Sequence, residues 1–148
     1  MISFTLKPYV GALPITFDMD ADDVAALLGP PDLVRQTDFE QYSELRGTLQ
    51  LRYSARDTKV QEILLLPNSV LRFEGADLFS QPCPVDYLMQ FDAEPYEHAG
   101  FVLFAKLGIA ISGCHSGETE QEAIMVLSKR VFDDLRRRSL TKWRRFRR

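Results

Sequence analysis

Residues 17–32, FDMDADDVAALLGPPD, mark both ends of a short amphipathic helix. Asp20 is a typical N-cap residue, and Asp23 stands three positions after it, where an acidic side chain stabilises a helix start. Gly29, followed by two prolines, is a helix stop. The apolar residues between these ends share one helix face, and they are Val24, Leu27 and Leu28. The stretch therefore predicts a helix over Ala21–Leu28.

Strand-like runs follow this helix, and the same order of signals returns about sixty residues later. In the first unit the runs are residues 40–45, 48–53 and 60–66. In the second unit a strand at 70–73 and a helix at 84–91 precede strands at 101–105 and 109–112. The second helix opens at Pro84 and has the apolar stripe Val85, Leu88 and Met89. The segment QEILL at 61–65 also matches EAIMV at 122–126, so we predict two tandem repeats at about 14–67 and 70–128.

Each repeat has the pattern of a βαβββ unit, which is too small to bury a core alone. We therefore predict the α+β class and a single domain over residues 1–148. In this domain about eight strands form one mostly antiparallel sheet, with both short helices on one face. Side-chain alternation predicts that the face towards the helices contains Leu49, Leu51, Ile63, Leu65, Ile109, Ile111, Ile124 and Val126. The other face is predicted to contain Gln50, Arg52, Glu62 and Ala110.

The basic C-terminal segment 129–148 differs in charge from the rest of the chain. It holds ten of the eighteen basic side chains and two acidic ones, so it carries +8 while residues 1–128 carry −11. The arginines between Arg136 and Arg148 suit binding to nucleic acid or to an anionic membrane. We favour the simpler expectation that the segment is solvated or docks on the acidic body.

Apolar side chains in this segment predict that it folds back. Besides its predicted core positions, the second unit has four more apolar strand residues, and they are Val102, Phe104, Met125 and Leu127. Both faces of its strands are therefore apolar, so one face needs a cover. Tail residues at roughly helical spacing could supply that cover, and they are Phe132, Leu135, Trp143 and Phe146.

The motif of residues 17–32 resembles a helix motif of small bacterial proteins. A two-turn helix that ends at Leu28-Gly29 and leads to a β-meander is similar to the SmpA/OmlA (BamE-like) outer-membrane assembly lipoproteins and to the repeats of the β-lactamase inhibitor protein. With the segment 70–79 between two such units, the chain is also similar to small bacterial proteins of the immunity type. The resemblance implies a tandem βαβββ fold and a habit of binding other proteins.

Clusters of residues that could carry chemistry are few. Cys114 and His115, near Glu118 and Glu120, could bind a metal or form a thiolate–imidazole pair. Neighbours on a strand point to opposite faces, so we expect a buried thiol and a solvated histidine instead. His98 is expected at the surface, and the helix start accounts for the aspartates at 18, 20, 22 and 23. The sequence has no phosphate-binding loop, serine nucleophile elbow or Cys-x-x-Cys, so we predict no catalytic residues, no cofactor and no metal site.

The chain has no apolar run of about 18 residues, so we predict no transmembrane segment. Lys7, Pro8 and Pro14 interrupt the start where a signal peptide needs an apolar stretch, so we expect a cytoplasmic protein. Two cysteines, Cys83 and Cys114, are too few for a disulfide framework.

We predict a non-enzymatic bacterial protein-binding module, of the immunity or inhibitor type, that uses the sheet face away from the helices. The acidic body suits a basic partner. The residues predicted to contact it are Tyr42, Glu44, Gln50 and Arg52. Two alternatives stay open. One is a small-molecule-binding protein or enzyme with a site between the repeats near Cys114 and His115, and the other is a nucleic-acid or membrane adaptor that works through the tail.

Overall fold

The computed structural model describes residues 3–36, 42–112, 123–138 and 140–143. These residues form an α+β fold, as predicted. The first half contains β1 (Ser3–Lys7), β2 (Gly11–Leu13), β3 (Ile15–Thr16), α1 (Ala21–Leu28), β4 (Leu33–Gln36), β5 (Tyr42–Arg46), β6 (Leu49–Tyr53) and β7 (Val60–Leu65). The second half contains β8 (Val70–Phe73), β9 (Ala76–Asp77), α2 (Pro84–Leu88), β10 (Tyr96–His98), β11 (Phe101–Phe104), β12 (Ile109–Ser112) and β13 (Ala123–Leu127). The chain then continues into α3 (Lys129–Arg136) and β14 (Thr141–Lys142).

The strands form two sheets, so the prediction of one sheet with about eight strands is wrong. A nine-stranded antiparallel sheet has the order β14-β10-β11-β12-β13-β7-β6-β5-β4. A five-stranded sheet has the order β3-β2-β1-β8-β9, in which β1 and β8 pair in parallel. Strand β1 was not predicted, although Phe4 and Leu6 alternate along it, because it lies before the first predicted repeat. Strands β3, β9 and β14 have two residues each, too few to show alternation.

The two halves meet where the sequence repeats itself. β7 pairs with β13, and the register opposes Ile63 to Val126, Leu64 to Met125 and Leu65 to Ile124. Adding 61 to the residue numbers of β7 turns Ile63 into Ile124 and Leu65 into Val126, which exchanges the two outer pairs, and turns Leu64 into its own partner Met125. A local two-fold axis therefore passes between Leu64 and Met125. β1 and β8 pair in parallel, so this axis does not extend to the five-stranded sheet.

Helix α1 has the predicted bounds and the predicted start. The Asp20 carboxylate accepts a hydrogen bond from the Asp23 amide at 2.9 Å, and the Asp23 carboxylate accepts one from the Asp20 amide at 3.2 Å. Gly29 follows the helix at φ +80°, a conformation that suits glycine. The predicted apolar stripe is wrong in part, because Val24 is buried while Leu27 is 49% exposed. α2 ends at Leu88, shorter than the predicted helix over 84–91.

All eight residues predicted to face the helices are buried, from Leu49 to Val126. They belong to one core that also contains Val24 of α1, Val85 of α2 and Phe4 of the five-stranded sheet. We call this side of the nine-stranded sheet the inner face and the opposite side the outer face. The core therefore lies between the inner face, the two helices and the smaller sheet.

A second, smaller core lies on the outer face of the second half. It contains Leu103, Ala110 and Leu127 together with Phe132 of α3, which is fully buried. The prediction that Val102 and Phe104 need this cover is wrong, because both side chains belong to the main core. Leu103, one position away, points to the outer face instead. Among the tail residues, Leu135 packs at the edge of this second core, Trp143 packs against the main core, and Phe146 lies outside the described residues.

Candidate functional site

One row of side chains crosses the outer face of the nine-stranded sheet from edge to edge. Strand register places these residues side by side in the order Leu33, Leu45, Gln50, Leu64, Met125, Ala110, Leu103, Tyr96 and Lys142. The part of the row from Met125 to Tyr96 packs with Phe132 of α3. The part from Leu33 to Leu64 belongs to neither core, and Leu33 is 46% exposed. The two halves of the outer face therefore differ in their cover.

We call the apolar part of the outer face that no other described element covers the open patch. It consists of Leu33, Leu45, Leu64 and Leu66, and it ends at Met125, which packs at the edge of the second core. Leu66 lies two positions beyond Leu64 and is 38% exposed, while Leu45, Leu64 and Met125 are half-buried. Gln50 lies between Leu45 and Leu64 in the row, so the patch is apolar with one polar side chain within it. Apolar surface of this kind is typical of surfaces that bind proteins.

Charged groups border the open patch. Arg52 Nη1 lies 2.9 Å from Glu62 Oε2 on the outer face, and register places Arg35 in the same row as this ion pair. A concavity of about 30 Å³ lies between Gln50, Arg52, Glu62, Leu64 and Met125. Small-molecule sites usually enclose about 300 Å³ or more. The surface is therefore nearly flat, and its shape suits a macromolecule.

The four predicted contact residues lie on two different faces. Gln50 and Arg52 are on the outer face, in or beside the open patch. Tyr42 and Glu44 are on the inner face, because strand pairing places them opposite Tyr53 and Leu51. The length of the connection between β5 and β6 could have predicted that Tyr42 and Glu44 lie on the inner face. When two residues connect the strands, an even-numbered residue of β5 shares its face with an odd-numbered residue of β6, so Glu44 must accompany the buried leucines.

Glu44 is 3% exposed and accepts hydrogen bonds from three side chains. Tyr53 Oη donates to Oε1 at 2.7 Å, Tyr42 Oη donates to Oε2 at 3.0 Å, and Arg46 donates through Nη1 to Oε1. Arg46 also donates through Nη2 to the carbonyl oxygen of Gly29 at 3.0 Å. The buried carboxylate thus has compensating partners, and the network ties the end of α1 to the sheet. We assign Tyr42 and Glu44 a structural role.

The tyrosines of this network resist ionisation. Burial is the largest of the causes that raise the pKa of Tyr53 far above its ordinary value. The hydrogen bond to Glu44 and the negative charge of Glu44 raise this pKa further. The same causes raise the pKa of Tyr42. Both phenols therefore stay protonated and serve as hydrogen-bond donors to Glu44 at neutral pH.

Two cavities flank α1, one near each end. The cavity near Asp20 has a volume of about 430 Å³, and Tyr42, Tyr53 and Thr58 line it. The cavity near Leu28 has a volume of about 340 Å³. In the first cavity Asp20 caps the helix and both tyrosine hydroxyls donate to Glu44, so these groups already have partners. The described residues that line this cavity do not bring together the nucleophile, base and orienting group that catalysis requires.

The cysteine and histidine cluster falls outside the part of the chain that the structure describes. Cys114, His115, Glu118 and Glu120 all lie in residues 113–122. His98 is a half-buried residue of β10 rather than a surface residue of a link. Within the described ranges no group of three or more His, Cys, Asp or Glu side chains is placed to hold a metal ion.

Cys83 is disulfide-bonded, which the sequence argument did not anticipate. Disulfides persist mainly in oxidising compartments. The cytoplasmic location therefore stays a prediction, and the bonded Cys83 argues against it. Among the described residues no helix has the length and apolarity needed to span a membrane.

Comparisons of the chain with protein-family models, with curated proteins and with solved structures find no match. The resemblance to the SmpA/OmlA lipoproteins, the β-lactamase inhibitor protein and the immunity-type proteins stays a prediction. Function has to be argued from the surface itself, and the open patch is its most distinctive feature.

Proposed function

We propose that the chain is a non-enzymatic protein-binding module, and that the open patch is its contact surface. The observation that carries this proposal is the difference between the halves of the outer face. In the second half Phe132 packs fully buried against Leu103 and Ala110. In the first half β4 exposes Leu33, and Leu66 is exposed directly after β7.

The repeat explains how a partner would fit. Leu64 and Met125 are related by the local two-fold axis, and the same comparison of strands matches Gln50 with Ala110. After β13 the chain turns into α3, which begins at Lys129 and covers the second half. After β7 the chain enters the smaller sheet at β8 instead. We propose that an amphipathic helix of a partner takes the place over the open patch that α3 takes over the second half.

We propose that the chain is of the immunity or inhibitor type and that its partner is basic, which its charge supports. Residues 1–128 carry −11 and the basic segment 129–148 carries +8, so the whole chain carries −3 and attracts a positively charged protein at low ionic strength. Apolar contact with the open patch would then supply most of the binding energy, because exposed ion pairs contribute only about 0–1 kcal/mol each.

The test compares two substitutions that introduce the same charge at different places. Leu64→Lys lies in the open patch, and Leu27→Lys lies at a 49% exposed position of α1. Proteins captured by the wild-type chain from an extract of its source cells are purified, and their dissociation constants are measured against all three chains. We expect a partner whose affinity falls at least about tenfold with Leu64→Lys, since a buried leucine contributes about 1.5–3 kcal/mol, and is unchanged with Leu27→Lys. If every captured protein binds Leu64→Lys as tightly as wild type, the proposal is wrong.

A further inference from the structure

The two edges of the nine-stranded sheet are protected to different degrees. One edge is β14, which has two residues and includes Lys142. Short edge strands with lysine resist pairing with other chains. The other edge is β4, which pairs with β5 on one side and, among the described residues, with no strand on the other. All four β4 residues are exposed, and Leu33 and Val34 are 46% exposed each.

This second edge has the properties of a pairing surface. Its backbone donors and acceptors on the free side need hydrogen-bond partners, which water or another strand can supply. Its two apolar side chains lie on opposite faces, because Leu33 is opposite Leu45 on the outer face and Val34 is opposite Glu44 on the inner face. An added strand would therefore cover apolar surface on both sides of the sheet.

We infer that β4 pairs antiparallel with β4 of a second copy of this chain, with Val34 opposite the second copy's Val34. The inference goes beyond the proposed function, because it concerns the sheet edge and does not require the open patch to bind another protein. Such a pair is related by a two-fold axis, the commonest symmetry of protein dimers. The β7–β13 junction already joins two meanders of this chain about a two-fold axis in the same antiparallel way.

Side-chain direction and charge select this register. A two-fold axis normal to the sheet brings residues of the same face opposite each other, so β4 offers two registers with three residue pairs. One is centred on Arg35 and places two guanidinium groups directly opposite, which is unfavourable. The other is centred on Val34 and places Leu33 opposite the second copy's Arg35, whose aliphatic stem covers the leucine. The second register buries all the apolar side chains of β4 without opposing like charges.

The experiment exploits the self-opposition of position 34. Wild type, Val34→Lys, Val34→Glu and the control Leu27→Lys are compared by sedimentation velocity over a range of concentrations, after circular dichroism has shown each to be folded. A four-residue edge buries a small area, so we expect a weak wild-type dimer whose fraction rises with concentration. Val34→Lys and Val34→Glu should each weaken it at least about fivefold, because like charges then face each other, and Leu27→Lys should not.

Mixing Val34→Lys with Val34→Glu separates this register from others. Opposite charges then face each other across the axis, so the mixture should dimerise at least as well as wild type. A wild-type chain that stays monomeric at all concentrations would overturn the inference. So would a dimer that Val34→Lys leaves unchanged, or a mixture that stays monomeric. The edge shares only Leu33 with the open patch, and the tested position, Val34, lies on the inner face, so this inference and the proposed function fail separately.

Discussion

Replacing Phe132 by alanine tests how α3 holds the outer face of the second half. The side chain is fully buried among Leu103, Ala110 and Leu127, and its ring meets the Tyr9 ring edge-on at 6.2 Å. Truncation of a buried phenylalanine costs about 3–5 kcal/mol, because apolar burial is lost and a cavity remains. Alanine regains about 0.5 kcal/mol through its higher helix propensity. We therefore expect the free energy of unfolding to fall by about 2.5–4.5 kcal/mol.

Urea unfolding followed by circular dichroism measures this loss, and binding of an apolar dye reports whether the second core opens. Leu27→Ala is a matched control, because it also removes a large side chain from a short helix but at a half-exposed position. We expect the control to cost less than about 1 kcal/mol. If Phe132→Ala also costs less than about 1 kcal/mol and exposes no dye-binding surface, α3 does not close the second core in solution. The contrast between a covered and an open half would then disappear.

Two further predictions concern the network under α1. Glu44→Ala should lower the free energy of unfolding by about 3–5 kcal/mol, because it leaves the Arg46 charge buried and unpaired. The control Glu62→Ala breaks the exposed pair with Arg52 and should cost less than about 1 kcal/mol. Equal costs in urea unfolding would refute the structural role of Glu44. Folding raises the pKa of Tyr53 above its ordinary value of 10.0, so this group's stabilising contribution is complete below pH 10 and is lost as the pH rises through the folded pKa. Unfolding measured against pH should show wild type losing more stability above pH 10 than Tyr53→Phe, and parallel curves would contradict the raised pKa.

The sequence predicted the parts of the fold that local signals control. Asp20, Val24 and Gly29 specify the start, the buried position and the end of α1, so its bounds follow from capping and periodicity. The match of residues 61–65 with 122–126 falls on β7 and β13, which pair at the junction of the two halves, although the sequence did not predict that these two strands pair.

The parts that sequence could not predict depend on contacts between distant segments. Assignment of β1 and β8 to a separate sheet requires knowing that Ser3 lies opposite Val70, and no local pattern contains that. The candidate contact residues were chosen by polarity, and polarity fails at Glu44 because buried tyrosines and an arginine compensate the carboxylate. The open patch was not predicted because it is apolar, whereas the candidate contact residues were chosen by polarity. Leu45 and Leu64 were expected in strands, but which leucines α3 leaves uncovered depends on where the tail docks.

The β7–β13 junction also constrains how the chain folds during synthesis. The residues that pair there are about sixty positions apart, so the nine-stranded sheet cannot close until Leu127 has left the ribosome. Until then the first half presents β7 as a free edge that carries Ile63 and Leu65, both buried in the finished fold. A nascent chain stalled before β13 would therefore expose β7 as an aggregation-prone edge strand. Its native partner, β13, has a sequence pattern that matches the pattern of β7. Two such nascent chains in one polysome could pair through β7, so this junction exposes the chain to misassembly between neighbours during synthesis.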